Sequence, residues 1–436
     1  MKKILAVLLA GMMAVTAFAG CGGGGSTESS GGSESGGSNI EVKEGDLVDD
    51  SVFGSEDNIT LKVWAPDKAV KLVQQQVEDF KKAYPNKTFT KIEVVAQGEN
   101  TAATQILNDA NAAADVFGFA SDQLNNLINA KVIAKVAFPE YVTEQNAEET
   151  VNAAKVDNTL YAYPETNDNG YYLVYDKTVV SDEQAKTLEG ILEACKKAGK
   201  KFIFNNGDGF FGCTFAFTAG AKIDGLEADG TQKFTEYDEN TAVATLQAFS
   251  KLMHDYKGTY TALDNQQIAS GFSTGTCGAG VDGSWNTKAN EKELGDRLGA
   301  AKLPTIKVNG EDKQLISMFG YKYIGVNAHS KFPATSQILA LYLAGQNCQK
   351  QRAEQLGWGP SNKAVQNDAV VAESVTQQAL KDQSQNSCAQ VNIAPTLWDP
   401  MGNLGNKLVA EETNPSDTEY FKKLLNETIK NVRDEV

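Results

Sequence analysis

Histidine is almost missing from this sequence, which has only His254 and His329 in 436 residues. Because imidazole is the commonest protein ligand of transition metals, metal sites built on histidine are largely excluded. No two cysteines have the Cys-x-x-Cys spacing, and the five that follow Cys21 are widely spaced and odd in number, which fits neither a disulfide framework nor a zinc site. The sequence therefore predicts no metal and no cofactor, with buried free thiols at Cys195, Cys213, Cys277, Cys348 and Cys388.

Positive charge is also in short supply, since 40 lysines and arginines face 56 acidic residues and the net charge is −16. An acidic surface of this kind argues against nucleic acid and anionic lipid as partners. A chain of this length is too long for one small core, so two lobes are expected. We expect the protein to be a monomer.

The N-terminus predicts export. Two lysines precede the apolar run Ile4 to Ala19, and small residues lead into Cys21, which is the order of a secretory signal peptide. The apolar run is too short for a comfortable membrane-spanning helix. Phe18-Ala19-Gly20-Cys21 resembles a bacterial lipobox, and ordinary cleavage beside an incidental cysteine is the alternative.

The residues after Cys21 favour the lipid anchor. Positions 22–38 are nearly all Gly, Ser and Glu, a composition that cannot bury a core and behaves as a flexible coil. We therefore expect residues 1–20 to be the signal peptide and Cys21 to be lipidated. Residues 21–57 would be a tether that holds the protein at the outer face of the cytoplasmic membrane through the lipid alone.

Strand and helix signals alternate along the rest of the chain. Ile59, Leu61 and Val63 alternate with polar residues as in a strand, and Asp67 can cap the following helix. The alternation continues to a helix capped by Ser121 and returns after a capping box formed by Ser181 and Gln184. Such alternation is typical of parallel sheets covered by helices on both faces. It predicts two α/β units.

A glycine-rich segment, Gly207 to Gly212, fits the dinucleotide fingerprint Gly-x-Gly-x-x-Gly after a predicted strand. The motif alone is weak. Phe210 and Phe211 crowd a turn whose backbone would have to touch pyrophosphate, and an exported protein has no obvious supply of nicotinamide cofactor. We therefore do not expect dinucleotide binding.

Two other catalytic or metal motifs also match loosely. Gly271 to Gly275 fits the nucleophile elbow around Ser273, with His329 downstream, but the preceding residues look helical where the elbow needs a buried strand. Glu165 to Gly170, with Asp176, resembles a calcium loop with the wrong acids at its anchor positions. A carboxylate pair for glycoside hydrolysis stays open because its separation is not encoded in sequence.

Two tryptophans stand in predicted loops. Trp285 follows Gly283-Ser284, and Trp398 lies between Pro395 and Pro400, which we take to exclude a regular helix. Large aromatics in loops are more often exposed for a ligand than those in periodic segments. A sugar presents apolar C–H faces and a rim of hydroxyls, so flat aromatics beside charged or amide groups suit it.

At this point the chain resembles the family of extracellular solute-binding proteins that includes the maltose-binding protein. The likeness spans most of residues 58–436. The segments that carry it are Leu61–Lys68, Ala114–Asp122, Leu160–Pro164, Tyr175–Lys177, Phe204–Phe211, Gly283–Trp285, Trp398, Gly320–Asn327 and Gly357–Ser361.

The resemblance implies an α/β fold of the type II periplasmic-binding-protein kind, with two lobes and a hinge crossed several times. It places the N-terminal lobe at 58–165 and 322–359 and the C-terminal lobe at 166–321 and 360–436. The sugar-binding residues that it implies are Asp67, Lys68, Phe119, Asp122, Asp168 or its neighbour Asn169, Asp208, Phe210, Trp285 and Trp398.

The expected function is capture of a sugar, a malto-oligosaccharide first of all, and its delivery to the permease subunits of an ABC transporter. The protein itself would not be an enzyme. The alternatives are a binder of another glycan or of a peptide with the same fold, or a surface lipoprotein hydrolase that uses Ser273 or a carboxylate pair.

Overall fold

The computed structural model describes residues 40–235 and 237–434. These described residues belong to one compact unit. The predicted signal peptide, the predicted lipidation site Cys21 and the Gly/Ser-rich segment up to residue 38 lie outside the described residues.

The folded chain begins earlier than predicted. Residues 40–57, expected to belong to the tether, include a turn of 3-10 helix at Asp50–Phe53. Phe53 is fully buried, and its ring lies 4.8 Å from that of Tyr84. Glu56 accepts hydrogen bonds from the backbone N–H groups of Ala334 and Thr335 at the start of a later helix. The expected tether end at residue 57 is therefore wrong, because the last apolar residues before Asn58 pack into the core.

The strands and helices alternate through the whole unit. The strands are β1 (Ile59–Ala65), β2 (Phe89–Ala96), β3 (Val116–Ala120), β4 (Lys155–Val156), β5 (Thr159–Leu160), β6 (Tyr163–Asp176), β7 (Lys201–Ile203), β8 (Ile223–Leu226), β9 (Gln232–Phe234), β10 (Tyr260–Thr261), β11 (Cys277–Gly283), β12 (Leu298–Ala301), β13 (Thr305–Val308), β14 (Glu311–Gln314), β15 (Ser317–Val326) and β16 (Ser387–Ala389). The helices are α1 (Val70–Ala83), α2 (Ala102–Asn108), α3 (Leu124–Asn129), α4 (Pro139–Gln145), α5 (Glu148–Ala153), α6 (Leu188–Lys197), α7 (Gly209–Ala219), α8 (Glu239–Asp255), α9 (Gln267–Ser273), α10 (Thr287–Leu294), α11 (Pro333–Leu343), α12 (Gln346–Leu356), α13 (Lys363–Gln366), α14 (Ala369–Ala372), α15 (Val375–Ser384), α16 (Trp398–Val409) and α17 (Thr418–Asp434).

One curled sheet runs through both halves of the molecule, in the order β10-β7-β11-β6-β15-β3-β1-β2. The pairs β1–β2, β1–β3, β7–β11 and β7–β10 are parallel, as the alternation predicted. The two longest strands, β6 and β15, are antiparallel to each other and join the halves. One end of β15 pairs with β3, whereas the far end of β6 pairs with β11 and β12.

The buried apolar side chains form two clusters, which we call the first and second cores; the first fills the first lobe and extends to α9 and α10 in the second half of the molecule. The first is centred on β1, β3 and α11, and the second on β7, α7, α8 and α16. The inward residues of β1 are Ile59, Leu61 and Val63, as the period of two predicted. Burying this apolar surface is the main stabilising contribution of each lobe.

Trp398 lies in a regular element, contrary to the prediction from its flanking prolines. It is the first residue of α16, and Pro400 occupies the first turn of that helix. A proline is tolerated there because the first N–H groups of a helix have no intrahelical acceptor. Among the described residues, no helix has both the length and the apolar character that a membrane crossing requires.

Candidate functional site

Loops with polar or aromatic side chains follow the carboxyl ends of β1, β2 and β3 in the first lobe and of β7 and β11 in the second. Lys68, after β1, reaches across the boundary between the lobes. Its Nζ donates to Asn286 Oδ1 at 2.5 Å and to the backbone oxygen of Trp285 at 3.3 Å. The two sets of strand ends therefore face each other. We call the region between them the interlobe site, and its residues are Lys68, Glu99, Asp122, Asn169, Phe210, Trp285, Lys322, Gln390 and Trp398.

Three of the predicted aromatic residues converge on the second-lobe side of the interlobe site. The ring of Phe210 lies 6.1 Å from that of Trp285 and 6.4 Å from that of Trp398. Each of the three is half-buried. The hydroxyl of Tyr171 donates to the backbone oxygen of Phe210 at 3.1 Å and holds the start of α7 against β6. The cluster is a partly exposed aromatic surface on rigid elements.

Lys68 is partly desolvated where it bridges the lobes. Burial lowers the pKa of Lys68, and the nearby carboxylate of Asp282 opposes that shift. Asp67, its predicted partner, is exposed in the same short turn. The lysine is thus positioned to donate hydrogen bonds between the lobes.

Asp282, which the sequence did not single out, organises the end of β11. Its Oδ1 accepts hydrogen bonds from Asn265, Asn286 and the backbone N–H of Gly283, each at 2.8 Å. Its Oδ2 accepts one from Asn290 at 2.7 Å. Burial raises the pKa of Asp282, and these four hydrogen bonds oppose the shift. The carboxylate fixes the loop that presents Trp285.

A second polar chain joins the end of β3 to β6 and to the segment after β16. Asn169 Nδ2 donates to Gln390 Oε1 at 2.6 Å, and Gln390 Nε2 donates to Asp122 Oδ1 at 3.0 Å. Ser121 donates to the backbone oxygen of Gln390 at 2.7 Å. Gln390 therefore links two predicted residues, although no motif marked it in the sequence.

Asp168 takes a different position from its neighbour. It is 1% exposed, and its Oδ2 accepts the backbone N–H of Gly359 at 2.6 Å. Burial raises the pKa of Asp168. Of the two alternatives left open by the sequence, Asn169 is the residue in the chain with Gln390 and Asp122. Asp168 instead braces β6 against the segment after α12.

The pKa of Asp122 gives a test of this arrangement. Burial raises that pKa from 3.8 to about 6. Protonation is then easier in the folded than in the unfolded state, so this group's stabilising contribution is complete below pH 3.8 and is lost as the pH rises through about 6. We expect the free energy of unfolding of the wild type to fall relative to that of Asp122→Asn across this window, measured by urea denaturation at a series of pH values.

The control for that series is Asp224→Asn, which removes an exposed carboxylate paired with Lys233 on a hairpin of the second lobe. Its free energy of unfolding should run parallel to that of the wild type. A constant difference between wild type and Asp122→Asn from pH 4 to pH 7 would contradict the raised pKa of Asp122.

Two neighbouring ion pairs are buried, and the first of them belongs to the interlobe site. Lys322 Nζ lies 2.7 Å from Glu99 Oε2, and Arg352 Nε lies 3.0 Å from Glu165 Oε1. All four side chains are at most 8% exposed. Lys322 also lies 5.8 Å from the ring centroid of Trp285. These charges come from four separate segments of the chain, and no sequence motif joins them.

Two predicted site residues have other environments. Phe119 is fully buried, with its ring 5.5 Å from Phe117 and 5.7 Å from Tyr323. The expectation that it stacks on a ligand is therefore corrected: alternate residues of β3 share one face, and that face belongs to the first core. Asp208 is exposed and caps α7 by accepting the N–H of Phe210 at 2.8 Å.

The glycines of the fingerprint-like segment serve helix packing. A Cβ on Gly209 would lie 2.1 Å from the backbone oxygen of Trp398, and one on Gly212 would lie 2.5 Å from that of Met401. On the facing helix, a Cβ on Gly405 would lie 1.9 Å from the backbone oxygen of Asn206. The glycines therefore let α16 approach α7 closely, and that contact brings Trp398 to Phe210.

The remaining motif matches lack the context that their chemistry needs. Ser273 is the exposed last residue of α9, so no strand precedes it as in a nucleophile elbow. The calcium-like segment lies within β6. In the described part of the chain, no group of three or more His, Cys, Asp and Glu side chains could hold a metal ion. The predicted free thiols are confirmed at Cys195, Cys213, Cys277 and Cys348, which are buried, while Cys388 is half-buried.

Comparisons with known proteins agree with this architecture. A family model described as bacterial extracellular solute-binding protein matches residues 75–379. The galactooligosaccharide-binding protein of Bacillus subtilis (strain 168) is 26% identical over 372 residues, which cover 82% of this chain and 85% of that relative.

Solved structures match over a similar length. A maltodextrin-binding protein of L. casei BL23 without ligand has a TM-score of 0.72 at 21% identity, with 86% of this chain and 99% of that chain covered. The maltose-maltodextrin-binding protein of Alicyclobacillus acidocaldarius has a TM-score of 0.71 at 21% identity, with 86% and 100% covered. The predicted two-lobed α/β fold is confirmed.

Proposed function

We propose, because the chain belongs to the family of bacterial extracellular solute-binding proteins, that it captures a short oligosaccharide in the interlobe site. Closure of the two lobes around the sugar would present the loaded protein to the permease subunits of an ABC importer. The protein would act as a monomer and leave the sugar unchanged.

The observation that carries this proposal is the aromatic surface formed by Phe210, Trp285 and Trp398. Aromatic rings suit the apolar C–H faces of sugars, and charged or amide groups suit the hydroxyl rim. Lys68 supplies donors from the opposite lobe, next to the loop that carries Trp285. A ligand held by both lobes gains contacts only when they close, so its binding energy favours the closed arrangement.

The further parts of the proposal concern attachment and lobe boundaries. A lipid on Cys21 would hold the protein at the outer face of the cytoplasmic membrane and keep it near its permease. The lobes would divide at 58–165 with 322–359 and at 166–321 with 360–436, and residues 40–57 would pack onto the first of them. Strands β6 and β15 and the segment Gly357–Ser361 would act as the hinge, since they are the elements that connect the two cores.

Malto-oligosaccharides are the first ligand class that we propose. The solved relatives include maltodextrin-binding proteins. Galacto-oligosaccharides are the second class, because the curated relative at 26% identity is described as a galactooligosaccharide-binding protein. Both classes are neutral chains of hexoses, and they differ in the orientation of hydroxyls and in linkage.

The test is calorimetric titration of residues 40–436 with maltotriose and with β-linked galactotriose, followed by chromatography of the recovered sugar. We expect one of them to bind with micromolar affinity and to be recovered intact. Failure of both to bind would contradict the oligosaccharide proposal and turn attention to other glycans and peptides. A shortened sugar would instead support a hydrolase.

A further inference from the structure

Glu99 has an unusual environment at the end of β2. Its side chain is 8% exposed, and its Oε2 contacts Lys322 Nζ at 2.7 Å. Its other oxygen, Oε1, is buried and has no hydrogen-bond partner within the described residues. Buried carboxylate oxygens are normally hydrogen-bonded, so an unpaired one calls for a partner outside the chain.

The Glu99 carboxylate is linked to the aromatic surface of the interlobe site through Lys322. The lysine that contacts Glu99 has its Nζ 5.8 Å from the ring centroid of Trp285 and 4.9 Å from that of Trp358. Ser284, which immediately precedes Trp285, has a buried hydroxyl oxygen that is also unpaired. Two residues with an unpaired polar atom are thus tied to Trp285, Ser284 as its chain neighbour and Glu99 through Lys322.

Glycine at position 118 keeps the space next to this oxygen free of a side chain. A Cβ there would stand in ordinary van der Waals contact with Glu99 Oε1, at 3.6 Å. On its other sides the carboxylate is held by Lys322, and the backbone oxygen of Glu99 accepts a hydrogen bond from Gln123. The acceptor is therefore fixed in place before a ligand arrives.

The charges nearby restrict what that ligand can be. Burial alone would lower the pKa of Lys322, but the carboxylates of Glu99, Asp168 and Glu165 raise it. The cation is thus already surrounded by acids, and Glu165 is paired with Arg352. An anionic group brought next to Glu99 would be repelled, whereas a neutral hydroxyl would be accepted.

We infer that Glu99 is the residue that selects the ligand, its Oε1 accepting a hydrogen bond from one hydroxyl of the sugar ring that stacks on Trp285. Lys322 positions the carboxylate and does not hold the sugar by itself. The ligand class is therefore a neutral oligosaccharide, and sugars with a carboxylate or phosphate on that ring are excluded. This inference rests on the proposed function and deepens it.

The experiment combines a near-isosteric variant with modified sugars. Glu99→Gln should weaken binding of whichever trisaccharide, maltotriose or β-linked galactotriose, binds to the wild type by about 10- to 100-fold, because a charge-assisted hydrogen bond is lost. In a set of monodeoxy analogues of that trisaccharide, one analogue should bind to the wild type more weakly than the parent sugar by a similar factor. The same analogue should bind to Glu99→Gln almost as tightly as the parent sugar does. A merely structural role for Glu99 would weaken all analogues by the same factor.

The control is Glu56→Gln, the same change at a carboxylate that caps α11 in the first lobe. Its sugar affinity should equal that of the wild type. If Glu99→Gln fails to fold, the affinities of the deoxy analogues for the wild type still test the inference. It is overturned if no single analogue binds markedly more weakly than the others. Equal affinity of Glu99→Gln and wild type overturns it too, whereas a wild type that binds neither trisaccharide overturns the proposed function itself.

Discussion

Replacement of Trp285 by alanine is expected to remove sugar binding. Trp285 contributes the ring that contacts Phe210 and Phe211 and lies near Lys322, so it stands at the centre of the interlobe site. Truncation of a central, well-packed tryptophan typically costs about 3 kcal/mol of binding free energy, or roughly a 100-fold loss of affinity. Titration calorimetry with the trisaccharide that binds to the wild type measures the loss.

The matched control for Trp285→Ala is Tyr256→Ala. Tyr256 is also half-buried in the second lobe and has a lysine, Lys196, 5.1 Å from its ring centroid, but it lies at the end of α8. This variant should bind the sugar as the wild type does. If both variants bind with wild-type affinity, the sugar does not stack on the proposed surface, and the site must be sought elsewhere.

Removal of the Arg352 side chain is expected to destabilise the first lobe strongly. Arg352 is 2% exposed, contacts Glu165 at 3.0 Å and donates to the backbone oxygen of Leu343 at 2.6 Å. Burial raises the pKa of Glu165 and Arg352 opposes that shift, so without the arginine the carboxylate is left buried near Glu99 and Asp168. Breaking a buried pair in this way costs about 3–5 kcal/mol. Arg352→Met should lower the urea midpoint accordingly.

Two further variants separate charge from packing. Glu165→Gln combined with Arg352→Met removes both charges and should recover much of the lost free energy, since no uncompensated charge remains. Lys350→Met, on the same helix, breaks a more exposed pair with Asp368 and should change the free energy of unfolding by less than about 1 kcal/mol. A loss for Arg352→Met no larger than that for Lys350→Met would contradict the importance of the buried pair.

Local patterns in the sequence predicted much of the fold. The alternation in β1 and the apolar face of α1 are confirmed, since Val73, Val77 and Phe80 are buried. The capping pair of Ser181 and Gln184 is also formed, at 3.1 and 3.3 Å. It closes a 3-10 turn, however, and α6 begins after it at Leu188 with Thr187 as its cap. Local hydrogen bonds are readable from sequence, whereas the exact start of a helix depends on packing.

Among the aromatic residues proposed for the interlobe site, Trp285 and Trp398 were selected because they stand in predicted loops, whereas Phe210 was named only through the resemblance to solute-binding proteins. The error at Phe119 arose because a strand pattern gives the period of two without saying which face meets the core. Gln390, Glu99 and Lys322 were not predicted, since each is an ordinary polar residue in its own segment. The partners that give them a role, such as Glu99 and Lys322, are separated by more than two hundred residues.

The sequence by itself determined the alternation of strands and helices, the two α/β units and the parallel pairing within each. These follow from periodicity and residue chemistry, which act over a few positions along the chain. Only the tertiary structure decided that Gly209, Gly212 and Gly405 serve helix packing, that Asn169 joins Asp122 through Gln390, and that Glu99 keeps one oxygen unpaired. Such relations depend on burial and on the meeting of distant segments, because the energy of a polar group is set by the neighbours that surround it in space.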